Sequence, residues 1–561
     1  MSRKWPKFDK LSRIVTALSL AACEGYVTDL GDESPGLAAR LQSDEGVVES
    51  RLVTGTAAMG VARRGAQALT LPDGRVLVVG GQDTFGNGVA RMELYSVHRN
   101  LWSNGPLLPV VPSRFVRSAL LPGGRVLVVD DSGVFTANLA TGAVVAASPP
   151  GGPIGDPALA TLTTGEVLVL GRSGAATAAW RFTPGTPNDT WAAVAAPPLS
   201  GFMSATRLSD GRVFASSSNA AAIFSPATGT WQPAAASPVS RVRPQLFGLS
   251  GARVAAVDTD FCGVHHCDRA IDVYSADTNS WATVDMQEGH MQGAAAALLE
   301  DGRTLVVAGG VKWPVVNGAF TTQQVGARVE WVDLDTMQLK DPWNQESLSQ
   351  PRAGIAGALT TDGRLLVAGG SDGVFGGNLV SGTELVAQRV ATFEPTLGVP
   401  TCRSAFSGGC TSYAMGRGTR RPEVGTPNAL KTAGVTCADG NSGTYLADES
   451  IEAVRVYSAT GDSMTRGGQV NVLVDVWAWS AFTTDKLDIF IAADAANPTW
   501  QLVATRTPTR AGLNTLTATA TIPSGFASLA AVRAQFRYQG SATACAAGPY
   551  NDRDDVAFEV Y

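Results

Sequence analysis

Basic side chains recur in this chain a few residues before short runs of small apolar residues. Arg64, Arg117, Arg243, His290 and Arg352 occupy such positions. We expect the loops that carry them to open on one face of the folded domain and to give that face a positive lining. A rim of this kind suits an anionic glycan or a carboxylate. The sequence therefore predicts a ligand-binding rim at these five residues.

Acidic side chains cluster near both ends of the segment 431–561. The six residues are Asp439, Asp448, Glu449, Asp552, Asp554 and Asp555. A disulfide between Cys437 and Cys545 would bring the two clusters to neighbouring edges, and converging carboxylates suit Ca²⁺, which takes six to eight oxygen ligands. We predict a structural Ca²⁺ site there, with a solvated acidic edge as the alternative.

The first 22 residues have the composition of a bacterial secretory signal. Five basic residues within 3–13 precede the apolar stretch 14–20, which is shorter than the roughly 20 residues of a membrane-spanning helix. The following Leu-Ala-Ala-Cys, residues 20–23, resembles the lipobox of bacterial lipoproteins. The resemblance implies that residues 1–22 are removed and that Cys23 receives the lipid. An ordinary signal peptide with an incidental cysteine is the alternative.

Seven cysteines leave six once Cys23 is assigned to lipid, and an even number in an exported protein predicts disulfides. The expected pairs are Cys262 with Cys267, Cys402 with Cys410, and Cys437 with Cys545. Six cysteines allow 15 pairings, so this connectivity is a hypothesis. Zinc is the alternative for the first pair, because His265 and His266 stand between its cysteines. Adjacent histidines point in different directions, which favours the disulfide.

The chain as a whole has 561 residues, of which only 16% are charged, and a net charge of -6. A charged disordered chain and a coiled coil are therefore excluded, and no global basic surface is offered to nucleic acid. From about residue 60 to 395 a unit recurs with a mean spacing of about 48 residues. Its seven turn glycines are Gly74, Gly124, Gly165, Gly211, Gly251, Gly302 and Gly363.

Each unit has the composition of a small antiparallel sheet. An Asp-Gly turn supplies the positive φ of a tight hairpin. The Val/Leu-rich run after it lacks alternation, as a strand buried on both faces would. A diglycine often follows and lets the backbone bend where a side chain would collide. One such sheet cannot bury its own faces, so the units must fold as a set.

This repeat resembles the kelch motif, which combines a diglycine after the second strand, a third strand with Glu/Asp-x-Tyr/Phe, and a tryptophan at the fourth. In the first copy these are Gly80-Gly81, Glu93 to Tyr95, and Trp102. The resemblance implies a seven-bladed β-propeller over 48–397, after a flexible tether at 23–47. The seventh copy lacks its last strand, which residues 50–60 could supply. Kelch blades often use an arginine before the first strand for ion pairs between blades, which is the alternative to a ligand-binding rim.

Residues 398–430 lose the repeat and are expected to form a linker or a cap on the last blade. Short alternating strands then return over 431–561 and predict a β-sandwich, with jelly-roll topology expected. The predicted fold class is therefore all-β: a seven-bladed kelch-type propeller followed by a β-sandwich. The module resembles the accessory sandwiches of secreted bacterial hydrolases and glycan-binding proteins.

Kelch enzymes of the galactose oxidase family hold copper with two tyrosines and two histidines. This chain has only four histidines, and the two tyrosines within the repeat, Tyr95 and Tyr274, occupy the third-strand packing position. We therefore expect no copper. The predicted function is an exported, lipid-anchored protein of the cell envelope, periplasmic or outer-surface, that binds an extracellular glycan or protein. A polysaccharide-active enzyme or enzyme subunit and a structural envelope protein are the alternatives.

Overall fold

The structure is a computed structural model that describes residues 53–561, apart from single residues and short segments. The longest gaps are 258–269, 288–292, 341–345, 404–408, 413–428 and 443–447. The described residues form β-strands and one short 3₁₀ helix, Phe482–Thr484, so the predicted all-β class is confirmed. Among them, no helix is long and apolar enough to span a membrane.

Seven four-stranded antiparallel sheets follow one another between residues 53 and 386, and we call them the seven-sheet unit. In the order first to fourth strand, sheet 1 comprises Gln67–Thr70, Arg75–Val79, Arg91–Ser96 and Leu101–Leu107; sheet 2 Arg117–Leu121, Arg125–Asp130, Gly133–Asn138 and Val144–Ala146; sheet 3 Gly155–Thr161, Val167–Ser173, Ala176–Thr183 and Thr190–Val194; and sheet 4 Ser204–Arg207, Val213–Ser216, Ala221–Ser225 and Thr230–Ala234.

The remaining three sheets have the same strand order. Sheet 5 comprises Gln245–Leu249, Arg253–Val257, Ala270–Ser275 and Ser280–Asp285; sheet 6 Ala295–Leu298, Thr304–Ala308, Val329–Asp333 and Gln338–Lys340; and sheet 7 Ala356–Leu359, Leu365–Ala368, Thr383–Val386 and Val53–Thr56. Sheet 6 also carries two small hairpins between its second and third strands, Val311–Lys312 with Gln324–Val325 and Val315–Val316 with Ala319–Phe320.

The second strand of every sheet is largely buried. In sheet 1, residues 76–79 are fully buried, because the neighbouring sheets cover both faces of the strand. Gly74 has a φ of 83° in the turn before that strand, a conformation that costs glycine little. Apolar clusters lie between successive sheets, such as the one that joins Leu77 and Val79 of sheet 1 to Val126 and Val128 of sheet 2. The uninterrupted apolar runs of the sequence are thus explained by burial on both faces.

A tryptophan on the fourth strand links each of four sheets to the sheet before it. The indole N–H of Trp191 donates to the carbonyl of Ala147 at 3.0 Å, and Trp231 donates in the same way to Ala195 at 2.7 Å. Trp281 donates to Ala235 at 2.9 Å. Each accepting carbonyl comes directly after the fourth strand of the preceding sheet. The repeated tryptophan therefore bridges neighbouring sheets.

The N-terminal strand Val53–Thr56 completes sheet 7, as predicted for residues 50–60. It pairs antiparallel with Thr383–Val386. Trp102 of sheet 1 donates its indole N–H to the carbonyl of Ala57 at 2.9 Å, which repeats the bridge of the other sheets. The first strands of sheets 7 and 1 also lie together, and Gly65 N donates to Gly354 O at 2.7 Å. The first sheet thus contacts the last through the same interactions that join consecutive sheets.

Two further sheets pack face to face and form the two-sheet unit. The larger contains, in spatial order, Thr392–Glu394, Val399–Cys402, Asp552–Glu559, Leu529–Tyr538, Asp485–Ala492 and Gln501–Arg506. The smaller contains Gly409–Thr411, Ser450–Ser458, Gln469–Ala478 and Gly512–Thr521. One apolar core that includes Val472, Val474, Phe536 and Phe558 lies between them. Alternation along 512–521 directs Leu516 and Ala518 into this core.

The segment 398–430 differs from the predicted linker. Val399–Cys402 pairs in parallel with Asp552–Glu559, and Gly409–Thr411 pairs with Ser450–Ser458. The Cys402–Cys410 disulfide joins these two strands, and its Cα atoms are 5.8 Å apart. Strands of three and four residues are too short to show a period of two in the sequence, and tertiary pairing creates them.

The predicted disulfides Cys402–Cys410 and Cys437–Cys545 are both confirmed. The second joins two loops that cover the outer face of the larger sheet. Arg553 donates to the carbonyl of Cys437 at 2.8 Å, and Arg533 donates to that of Ala544 at 2.5 Å. Buried arginines therefore satisfy the polar backbone of the loops that the disulfide holds. Cys262 and Cys267 lie outside the described residues.

The two-sheet unit contacts the seven-sheet unit at the turns between first and second strands. Arg510 donates to the carbonyl of Pro72 in the turn of sheet 1. The turn of sheet 7 is buried, with the Asp362 and Arg364 side chains 0% and 3% exposed, whereas Asp210 and Arg212 in the turn of sheet 4 are 37% and 33% exposed. Burial raises the pKa of Asp475 in the smaller sheet, and the negative charge of Asp362 contributes to this rise.

Asp475 forms a fully buried ion pair with Arg455, at 2.6 Å between Oδ2 and Nη1. We expect Asp475→Ala to lower the free energy of unfolding by about 3–5 kcal/mol, because it leaves a buried guanidinium without its carboxylate. Asp210→Ala removes the matched but exposed pair with Arg212 and should change stability by less than about 1 kcal/mol. Urea unfolding of the full chain measures both, and equal effects of the two variants would contradict this account.

Candidate binding site

A cavity of about 340 Å³ lies at the amino-terminal ends of the first strands of the seven-sheet unit. Every sheet contributes to its wall. One lining residue from each sheet, in order, is Gln67, Ser118, Leu159, Ser204, Gln245, Ala296 and Gly357. The volume is at the lower end of the roughly 300–1,000 Å³ that is usual for small-molecule sites. The cavity is therefore large enough for a small ligand.

Crowding of the first strands explains why the wall consists mainly of small residues. A Cβ atom on Gly357 would come within 2.8 Å of the Cβ of Ala295 in the neighbouring sheet. Where a longer side chain is present, it bridges strands: the backbone N–H of Ser118 donates to Gln67 Oε1 at 2.6 Å, which joins sheets 1 and 2. Small side chains thus allow the seven strands to approach and leave space at their ends.

The structure brings the predicted rim residues to this end of the unit but gives them different roles. Arg117 and Arg243 line the cavity. Arg64 is half-buried beside the lining residue Gly65. Arg352 is buried and ion-paired with Glu384, so it does not face the cavity as a ligand-binding group would. His290 lies outside the described residues.

Two other sheets also have a buried arginine in the loop before the first strand. Arg63 pairs with Glu93 in sheet 1, Arg241 with Asp272 in sheet 5, and Arg352 with Glu384 in sheet 7, with each acid on the third strand of its own sheet. Burial lowers the pKa of Arg63 and Arg352, and the paired glutamates counteract this effect. These three arginines hold the loop before the first strand through ion pairs within one sheet, whereas the alternative considered in the sequence was ion pairs between sheets.

Arg243 differs from these arginines because its partners lie on other sheets. Its guanidinium pairs with Asp156 of sheet 3 and stacks over the ring of Phe202, at 4.0 Å from the ring centroid, in the loop before sheet 4. Asp156 also pairs with Arg172 of sheet 3. Charge spacing in the sequence does not reveal this cluster, because Asp156 and Arg243 come together only through the arrangement of sheets 3, 4 and 5.

The residues predicted to bind Ca²⁺ are dispersed among protein partners. Asp555 forms a buried ion pair with Arg533 and accepts the backbone N–H of Leu430 at 2.7 Å. Asp552 accepts the N–H of Ile451 at 2.6 Å, and Asp439 lies near Arg553. Asp554 is buried. Within the described residues, no group of three or more Asp, Glu, His or Cys side chains is arranged to hold a metal. The Ca²⁺ site stays a prediction.

The last two of these residues, Asp448 and Glu449, belong to a carboxyl cluster in the two-sheet unit. Glu449 is 5% exposed, and its carboxyl lies against those of Asp448 and Asp485. Burial, the hydrogen bond with Asp448 and the negative charge of Asp485 raise the pKa of Glu449 to about 9. Burial raises the pKa of Asp485 as well. At neutral pH the cluster therefore holds a proton that the unfolded chain would release.

This proton makes stability depend on pH. Below about pH 4.5 Glu449 is protonated in both states, and between there and about pH 9 only the folded chain keeps the proton, so rising pH favours unfolding. One proton corresponds to about 1.4 kcal/mol per pH unit. Glu449→Gln imitates the protonated group and should raise the unfolding free energy at pH 8 more than at pH 5.

Urea unfolding at pH 5 and pH 8 measures this difference for the wild type and the variant. Asp277→Asn, which removes an exposed carboxylate from a hairpin of sheet 5, is the control and should shift both pH values little. An equal effect of Glu449→Gln at the two pH values would show that Glu449 carries no proton in the folded chain.

Of the tyrosines and histidines considered as copper ligands, only Tyr95 and Tyr274 lie within the described residues. Tyr95 and Tyr274 are buried between sheets, and their hydroxyls bond Asn100 Oδ1 at 3.0 Å and Asn279 Oδ1 at 2.8 Å. They have the packing position that the sequence predicted. All four histidines lie outside the described residues, so the expectation of no copper stays a prediction.

Comparisons with known proteins give little information about this chain. No protein-family model and no curated protein sequence matches it. A solved structure titled as a novel fungal alcohol oxidase of the AA5 family, in complex with copper, aligns with 90% of this chain and 99% of its own. The aligned residues are 12% identical and the TM-score is 0.33. A likeness at this level carries no argument about fold or activity.

Proposed function

We propose that this chain is an exported, lipid-anchored binding protein that recognises an extracellular glycan or protein through the cavity of the seven-sheet unit. The observation that carries the proposal is that first strands from all seven sheets build the wall of one cavity of about 340 Å³. Sites formed in this way between rigid elements hold a ligand without rearrangement.

The architecture that we propose is a seven-bladed β-propeller of the kelch type followed by a β-sandwich. Three observations support it: the seven similar four-stranded sheets, the contact of sheet 7 with sheet 1, and the tryptophan bridge that recurs where the N-terminal strand joins sheet 7. The kelch-like residues of the sequence fall on the corresponding strands, with Glu93 and Tyr95 on the third strand of sheet 1 and Trp102 on its fourth.

The arrangement of the two units supports binding at the cavity. The two-sheet unit contacts the turns at Pro72 and Asp362, which are at the opposite ends of the first strands from the cavity. Among the described residues, these contacts of the two-sheet unit lie away from the cavity end. The exposed side chains of Phe85 and Val111 lie in loops at that end, where they could contact a ligand larger than the cavity.

Two disulfides support export, because such bonds persist in oxidising compartments. Membrane attachment rests on the signal-like residues 1–22 and on Cys23. The proposed location is the cell envelope, either the periplasm or the outer surface.

Binding at the cavity can be tested by filling it. Ser204→Phe places a large ring in the wall, and we expect it to abolish binding to glycans that the wild-type protein captures on a glycan array. Thr228→Phe adds the same ring to an exposed hairpin of sheet 4 and should leave binding unchanged. Circular dichroism and melting temperature establish that both variants fold. Retention of every captured glycan by Ser204→Phe would place the binding site elsewhere.

Membrane attachment can be tested in bacterial cells that express the full chain. We expect Cys23→Ala to move the protein from the membrane fraction to the soluble fraction, because the lipid would have no thiol to join. Ser19→Ala, which changes the apolar stretch without removing the cysteine, should keep the protein with the membrane. Membrane retention of Cys23→Ala would refute lipidation at this residue.

A further inference from the structure

Two exposed tyrosines contact each other at one end of the two-sheet unit, and we call them the tyrosine pair. Tyr538 ends the strand Leu529–Tyr538, and Tyr550 lies two residues before the strand Asp552–Glu559. Their ring centroids are 6.3 Å apart and the ring planes meet at 85°. Tyr538 is 43% exposed and Tyr550 is 37% exposed. Single exposed aromatic residues are normal on a protein surface, whereas two in contact form a continuous patch.

The inner face of the larger sheet leads directly to Tyr538. Phe536, two residues earlier, is fully buried in the core between the two sheets. Side chains two residues apart lie on the same face of a strand, so Tyr538 continues that face where the core ends. Tyr538 is also the pairing partner of Asp485 in the neighbouring strand. Paired residues of antiparallel strands have Cβ atoms about 4.5–5.5 Å apart, so Tyr538 lies beside Asp485.

Tyr550 belongs to a loop whose conformation is fixed by the rest of the unit. The Cys437–Cys545 disulfide ties this loop to the segment around residue 440. The carbonyl oxygens on either side of Tyr550 accept the N–H groups of Gly440 and Ser442, at 2.7 and 2.8 Å. A ligand that contacts Tyr550 therefore has little of the loop to order when it binds.

The carboxyl cluster of Asp448, Glu449 and Asp485 adjoins the tyrosine pair through Asp485. Asp448 is half-buried, whereas Glu449 and Asp485 are 5% and 1% exposed. In the described part of the chain, Glu449 Oε2 and Asp485 Oδ2 have no hydrogen-bond partner. A buried oxygen without a partner lowers stability. The protein therefore keeps this cluster at the expense of stability, which is common where residues serve a ligand.

Aromatic rings beside carboxyl groups suit a sugar. The face of an aromatic ring is electron-rich and attracts the C–H groups on one side of a sugar ring. Within the described residues, neither phenol hydroxyl of the tyrosine pair has a hydrogen-bond partner. The two hydroxyls can both donate and accept, and the half-buried Asp448 carboxyl can accept from a sugar hydroxyl. The patch thus offers both kinds of contact that a saccharide makes.

The exposed aromatic area is too small for a protein partner. An aromatic side chain has a total area of about 150–250 Å², and both members of the tyrosine pair are less than half exposed. A stable protein interface takes about 800 Å² from each partner. Trp479, which follows the strand Gln469–Ala478 and is 53% exposed, adds one more ring at this end of the unit. The total still fits one or two sugar rings better than a protein.

The charge at this end favours an uncharged sugar. Lys486 lies near Asp485, but its ammonium donates to the carbonyl of Thr483 and the hydroxyl of Thr507, each at 2.9 Å. One proton shared among three carboxyls leaves the cluster negative at neutral pH. A uronate or sulfated sugar would therefore meet a like charge beside the tyrosine pair.

We propose that the tyrosine pair and Asp448 form a second saccharide-binding site, on the two-sheet unit, that takes uncharged sugar rings. Tyr538 stacks on a C–H face of the sugar, Tyr550 contacts its edge, and Asp448 accepts a hydrogen bond from a hydroxyl. Glu449 and Asp485 give the site its negative charge. This inference goes beyond the proposed function, whose site is the cavity of the seven-sheet unit.

Titration calorimetry of the full-length mature protein tests the site with cellopentaose, maltopentaose and xylopentaose as neutral probes. Pentagalacturonate is the charged probe. We expect at least one neutral probe to bind, and pentagalacturonate to bind at least about tenfold more weakly, because its carboxylates meet the carboxyl cluster. Each titration is repeated with Ser204→Phe, so that binding at the cavity is identified separately.

Variants of the tyrosine pair locate the binding. Tyr538→Ala and Tyr550→Ala each remove one ring and should weaken the neutral probe at least about fivefold. Tyr538→Phe keeps the ring and should retain most of the affinity. The matched control is Tyr561→Ala, which removes a 52% exposed tyrosine beyond the other end of the strand Asp552–Glu559 and should leave binding unchanged. Melting temperatures establish that the variants fold.

The outcomes separate this inference from the proposed function. Failure of all three neutral probes to bind would overturn the second site, and so would unchanged affinity in folded Tyr538→Ala and Tyr550→Ala variants. An equal loss in Tyr561→Ala would overturn the assignment to this end of the unit. Equal affinity for pentagalacturonate would overturn the preference for uncharged sugars. If every neutral probe is lost in Ser204→Phe and kept in the tyrosine variants, the cavity is the binding site and the second site is overturned.

Discussion

Burial of both faces of each sheet is the constraint on which the seven-sheet unit depends. Residues 76–79 of sheet 1 are fully buried only because sheets 7 and 2 cover them, and the same holds along the series. No sheet can therefore be stable by itself. The first sheet must also find a neighbour, and Val53–Thr56 provides the outer strand that meets it. Trp102 then donates to the carbonyl of Ala57, as the other tryptophans donate to the sheet before their own. The same hydrogen bond therefore joins consecutive sheets and joins sheet 1 to sheet 7.

The same crowding that requires small side chains on the first strands creates the cavity. Gly357 and Ala295 approach so closely that larger residues would collide, while at the strand ends the same small residues leave a space bordered by seven sheets. Packing and binding thus make compatible demands on the first strands. Asp156 and Arg243, near the start of two first strands, adopt backbone conformations that glycine adopts more easily. Other non-glycine residues with positive φ, such as Ala252 and Met337, lie in turns away from the cavity, so this backbone conformation is not confined to its border.

The features that could be predicted from the sequence are those encoded by local patterns of residues. Apolar runs and Asp-Gly turns predicted the sheets, and the missing strand of the last repeat predicted the role of Val53–Thr56. Cysteine spacing predicted Cys402–Cys410 and Cys437–Cys545. Short strands such as Val399–Cys402 depend on a distant partner, so no local pattern announces them. The raised pKa of Glu449 depends first on burial, which tertiary packing creates, and then on Asp448 and Asp485. The contact of Arg243 with Asp156 depends on the arrangement of three sheets.

The arginines show why residue type alone does not assign a binding site. Arg352 and Arg243 both precede a first strand, and the sequence treats them alike. Arg352 pairs with Glu384 on its own sheet, which neutralises its charge and holds the loop before the first strand. Arg243 pairs with Asp156, which also accepts Arg172, so its ion pair joins sheet 5 to sheet 3. In the described part of the chain, the charged residues that border the cavity are Arg117 and Arg243. An arginine before a first strand thus holds the loop of its own sheet in one case and joins two sheets beside the cavity in the other.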